Sequence, residues 1–113
     1  MAANNYADLL RGLERFEEAK VLLRKIVPMA RRILGESNEM TLKIRLGYAM
    51  ALCLDVDGAT LDDLREAVTT LEDAGRIARR VLGSAHPTSS AIEVCLGHAR
   101  TALRARETPP ANA

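Results

Sequence analysis

The chain repeats itself. Phe16-Glu17-Glu18-Ala19-Lys20 runs on through Leu23 to Ala30-Arg31-Arg32-Ile33-Leu34-Gly35, and the pattern returns at an offset of 48 residues, ending at Ala78-Arg79-Arg80-Val81-Leu82-Gly83. Glu18, Ala19, Leu23, Ala30, Arg31, Arg32, Leu34 and Gly35 recur unchanged, while Phe16/Leu64, Met29/Ile77 and Ile33/Val81 recur in kind. A period of this size constrains the fold more than any composition does, because one such unit cannot bury its apolar face alone and must stack on a neighbour.

Within each copy the apolar positions are 16, 19, 23, 26, 30 and 33, then 64, 67, 71, 74, 78 and 81. The steps of three and four place them on one stripe of an α-helix. Alanines at 19, 30, 67, 74 and 78 allow close helix contact. Arg-Arg near the end suits the negative pole of the helix, and Leu-Gly predicts a left-handed stop. Each copy has a partner helix before it, at Asn4–Leu10 and at Leu42–Leu54; aligning Tyr6-Ala7 with Tyr48-Ala49 gives an offset of 42, so the second unit carries six extra residues near Asp55–Thr60.

Read in order, the chain predicts helices at Met1–Leu13, Phe16–Leu34, Glu39–Leu54, Thr60–Leu82 and Thr88–Arg106. Pro28 lies inside the second and predicts a kink, since it removes one backbone hydrogen bond. Ser37 or Asn38 can cap the third helix and Thr60 the fourth. The third is apolar on most of its surface, which marks it as central to the stack. Asp55–Ala59 reads as an exposed, dispensable loop. Pro87 is pre-set for a first helical turn, with His86 as a helix-start residue.

Asn5-Tyr6-Ala7, Leu9-Leu10, Arg15-Phe16-Glu17-Glu18-Ala19, Leu22-Leu23-Arg24 and Leu34-Gly35 together resemble a tetratricopeptide repeat. The type is similar to that of kinesin light chains, and His86-Pro87 resembles the start of the next unit there. Glu14 in the first turn, Pro28 and the enlarged second turn depart from the pattern. The resemblance implies an all-α, right-handed α-solenoid of antiparallel helix pairs, with about two and a half repeats and five helices. The expected division is a repeat domain over residues 1–106, made of a first repeat (1–35), a second (38–83) and a capping helix (86–106), followed by a disordered tail at 107–113.

Composition narrows the function. A net charge of +1 gives no field for nucleic acid or an anionic membrane. No apolar run approaches membrane-spanning length and no signal peptide opens the chain, so the expected location is cytoplasmic. Cys53 and Cys95 fit reduced thiols in a helical core. Asp55-Val56-Asp57-Gly58 fails as a calcium loop, because Ala59 and Thr60 stand where a ligand and the required glycine belong. His86 and His98 lack partners at ligand spacing, and Ser89 and Ser90 lack a nucleophile pattern. The expectation is therefore a non-catalytic protein with no metal and no cofactor.

In a stack of helix pairs the first helix of each pair lines the concave face. That rule selects Asn4, Asn5, Asp8 and Arg11 in the first unit, Lys43, Gly47, Met50 and Cys53 in the second, and Ala91, Val94, His98 and Thr101 in the third. The resemblance adds that Asn5 occupies a place where such proteins hydrogen-bond a bound peptide's backbone. The implied function is a protein–protein interaction module taking a peptide or partner protein on the concave face, with self-association or a place in a longer array also open. The alternatives are a helical regulatory or substrate-positioning appendage of an enzyme, and a structural dimerising bundle.

Overall fold

A computed structural model describes residues 15–55 and 58–107. The first predicted helix, most of the tail and two loop residues lie outside them. Four helices and no strand are present among the described residues: α1 (Phe16–Ile33), α2 (Glu39–Cys53), α3 (Leu61–Val81) and α4 (Pro87–Glu107).

The start and stop signals act locally as expected. Gly35 and Gly83 both adopt φ +94°, the left-handed region that favours glycine, and close α1 and α3 at equivalent places. Asn38 accepts the Met40 N–H at 2.8 Å and starts α2. Thr60 and Asp63 form a reciprocal capping box on α3. His86 Nδ1 accepts the Thr88 N–H at 3.1 Å at the start of α4. Pro28 stays inside a continuous α1.

Pairings across the seams fix the directions. Thr41 Oγ1 donates to the Ala30 carbonyl at 3.3 Å, and Arg24 Nε to Tyr48 Oη at 3.1 Å, so α1 and α2 are antiparallel. Tyr48 with Glu66 and Arg45 with Asp73 make α2 and α3 antiparallel. Arg100 with Glu72 and Arg65 with Glu107 do the same for α3 and α4. Glu39 beside Thr88 makes α2 and α4 neighbours running the same way. Packing therefore alternates: α2 touches α1, α3 and α4, which confirms it as the central helix. α1 and α3 meet through long side chains, Lys20 to Asp63 at 3.3 Å and Arg24 to Glu66 at 3.5 Å.

The core is the shared stripe. Ala19, Leu23, Ala67, Leu71, Ala74 and Ala78 are fully buried, against Leu42, Ile44, Ala49 and Leu52 of α2 and Ile92 and Ala99 of α4. Cys53 and Cys95 are buried thiols within it. Arg45 is buried too, held by Asp73 at 2.8 Å.

Three expectations are corrected. Ile33 and Val81, the last members of each stripe, are 67% and 46% exposed. α2 reaches α1 at Thr41 opposite Ala30, so nothing in α2 covers the final turn. Ala59 is buried, and its N–H donates to the Asp55 carbonyl at 2.9 Å. Gly58, whose N–H donates to the Asp55 carboxylate at 3.0 Å, is exposed, so the correction falls on Ala59. Lastly, Glu107 belongs to α4 and reaches Arg65 at 3.4 Å, one residue into the predicted tail.

Candidate functional site

The side-by-side run of α2 and α4 creates the surface of interest. Their inward faces are taken by α1 and α3, so the opposite faces form an open trough. Leu46, Met50 and Leu54 line it from α2, and Ala91, Val94, Cys95 and His98 from α4, with Ser90 at one end. The hollow measures about 490 Å³. Its walls are apolar, and Val94 projects with 76% of its surface exposed. Beyond His98 a second hollow of about 370 Å³ opens among Cys53, Leu64, Thr101 and Ala102, with Asp55 and Arg106 at its mouth. His98 lines both.

The charged groups at the start of the trough are tied down. Glu39 accepts from Thr88 Oγ1 at 3.1 Å, with Lys43 Nζ at 3.3 Å and His86 Nε2 at 3.8 Å. The Thr88 hydroxyl and then Lys43 hold its carboxyl below the usual carboxylate range. The opposite seam, between α1 and α3, is polar. Tyr48 Oη donates to Glu66 at 2.6 Å while accepting from Arg24, and burial followed by the Glu66 bond pushes its hydroxyl up to about 12. Burial alone would raise Asp63, yet the Thr60 N–H and Lys20 bring it below its ordinary value. Lys20 itself is raised, with Glu17 and Asp63 outweighing its burial.

Met50, Ala91, Val94 and His98, selected from the sequence, come together in the trough. Thr101 and Cys53 line the second hollow, Cys53 from beneath. Lys43 is exposed and paired with Glu39. Gly47 is buried and does not line the trough. Asn4, Asn5, Asp8 and Arg11 lie outside the described residues. Sequence reasoning passed over Leu46, Leu54 and Cys95 as packing residues. The offset of 48 held the missing signal, since it pairs Leu46 with Val94 and Met50 with His98 across the trough.

Among the described residues no group of His, Cys, Asp and Glu is arranged to hold a metal, and no helix is long and apolar enough to cross a membrane. The fold and its open trough define a class, an all-helical chain built of stacked helix pairs. A particular family enters through residues 1–38, about a third of the chain, which match the tetratricopeptide repeat. That match supports a repeat of this type at the start of the chain and, with it, the general role of such repeats in protein–protein interaction. No curated protein and no solved structure matches the chain.

Proposed function

We propose that the chain is a non-catalytic interaction module which holds a segment of a partner protein in the trough between α2 and α4. One observation carries the reading: an apolar hollow of about 490 Å³ left open along two neighbouring helices, with Val94 standing 76% exposed at its edge. A volume in this range accommodates one or two large apolar side chains. The partner segment lays such side chains over Leu46, Met50 and Val94, and its polar groups meet Lys43 and His98 at the rim. Micromolar affinity, about −8 kcal/mol, suits a contact of this size.

The wider reading keeps residues 1–106 as one right-handed stack of the kinesin light chain type, with five helices and α4 as its cap. Asn5 extends the recognition surface by family resemblance. Two buried thiols suit a reducing compartment such as the cytoplasm.

The test is quantitative affinity capture from the native source with wild type, Val94→Glu and Arg80→Glu. Arg80 is exposed on α3, away from the trough. Proteins retained by wild type and Arg80→Glu but lost with Val94→Glu are expected. A retained set unchanged by Val94→Glu, or lost only with Arg80→Glu, rejects the trough.

A further inference from the structure

The two hollows of the trough share His98 and continue into each other along α4. Their lining runs from Ala91 to Ala105, about 21 Å of helix. The offset of 48 sets the walls in rungs one helical turn apart: Leu46 with Val94, Met50 with His98, and Leu54 with Ala102. Polar side chains are sparse along this floor. Ser90 stands at one end, His98 in the middle and Thr101 beyond it, and the Thr101 hydroxyl donates to the Gly97 carbonyl at 3.0 Å. The walls are the helices α2 and α4, whose interior N–H and carbonyl groups are spent on each other.

We infer that the partner segment held in this trough is an amphipathic α-helix of about four turns; the inference rests on the trough being the binding surface, as proposed above. Length alone does not choose, since about 21 Å is spanned by roughly fourteen helical residues or by six or seven extended ones. The backbone chooses. Each residue brings one N–H and one carbonyl, so an extended segment of that length turns about a dozen such groups toward α2 and α4. Along that path the walls offer the side chains of Ser90, His98 and Thr101. Each backbone group left unpaired and out of water weakens binding about tenfold. A helix pairs those groups within itself and presents only side chains to the walls. Apolar side chains at steps of three and four then enter between the rungs, one per turn, as ridges enter grooves between packed helices. The polar face of the bound helix stays in water at the open side of the trough.

Display selection on the full chain tests this, using random peptides of about four helical turns and counter-selection on Val94→Glu. Val94 is exposed, so its replacement leaves the core intact, and methyl shifts of Leu46 and Met50 in wild type locate each selected peptide without any variant. Peptides that shift those methyls and are lost on Val94→Glu are expected to carry large apolar residues at steps of three and four. Their labelled Cα shifts should become helical on binding. A central proline should weaken them at least about tenfold, and an i,i+4 lactam on the polar face should tighten them several-fold by pre-forming the helix. Selected peptides that shift the same methyls but alternate at steps of two, tolerate the proline and show extended shifts overturn the helical occupant while leaving the trough as the binding surface. If no selected peptide moves the Leu46 and Met50 methyls or depends on Val94, the trough reading falls, and this inference falls with it.

Discussion

Tyr48 joins three helices through one hydroxyl, and its removal is the most informative single perturbation of the stack. It accepts from Arg24 Nε at 3.1 Å and donates to Glu66 Oε2 at 2.6 Å. Hydrogen bonds to charged groups contribute about 1.5–3 kcal/mol when fully buried. Here the Arg24 and Glu66 side chains are 54% and 45% exposed and keep their own ion pair at 3.5 Å. Water and that pair recover part of the loss, so Tyr48→Phe should cost roughly 1–2 kcal/mol at pH 7. Tyrosine titrates near 10 when unfolded, whereas in the fold burial and Glu66 push Tyr48 up to about 12. Between those values the unfolded chain has lost a proton that the folded chain retains. Stability therefore declines as pH rises through this window, by at most about 1.4 kcal/mol per pH unit for this one group. The phenylalanine variant lacks that decline. Urea unfolding followed by circular dichroism at pH 7, 9, 10 and 11 should show the advantage of wild type over Tyr48→Phe shrinking above pH 10. Other titrating groups are common to both proteins and cancel in the difference. A gap that stays constant from pH 7 to pH 11 refutes the buried, hydrogen-bonded hydroxyl.

The remaining predictions concern the seams. Ala19→Leu and Ala67→Leu each force a larger side chain into a fully buried contact, and should cost about 1–3 kcal/mol in chemical denaturation; a change within about 0.5 kcal/mol would contradict the packing. Asp63 and Asp73 both titrate below their ordinary range, Asp63 against its burial through Thr60 and Lys20, Asp73 against its burial through Arg45 and Arg76. Their contribution is present above the unfolded value near 3.9 and is lost as pH falls through the depressed folded values. Acid unfolding should accordingly steepen below about pH 4, and Asp63→Asn should flatten that limb while lowering stability at pH 7; an unaltered acid limb would contradict the assignment.

The sequence carried the periodic part of this fold well and the lateral part poorly. Gly35, Gly83, Asn38 and Thr60 act through bonds within a few residues, so their roles were legible from local chemistry alone. Ala19 and Ala67 were legible because both copies agree. Ile33 and Val81 fit the same stripe yet stand exposed, because periodicity gives a face and not the point where the neighbouring helix ends. Ala59 was missed because its burial goes with a bond from its N–H to the Asp55 carbonyl, which no spacing rule encodes. In the trough, Met50 and His98 were legible from helix geometry. Gly47 was selected by the same rule, yet it is buried and does not line the trough. Leu46 and Leu54 looked like core because an apolar trough and an apolar core share one composition.

The central claim is that the working surface lies between α2 and α4. Amide hydrogen exchange and methyl NMR, recorded with and without a captured partner segment, test it most directly. Binding should perturb the methyl groups of Leu46, Met50, Leu54 and Val94 and protect the amides of the surrounding turns. Methyl groups of Val21 and Val81, exposed on α1 and α3, should stay unshifted. Perturbation confined to Val21, Val81 and their neighbours, with the trough methyls unmoved, would place the interface on the outer helices and contradict the account.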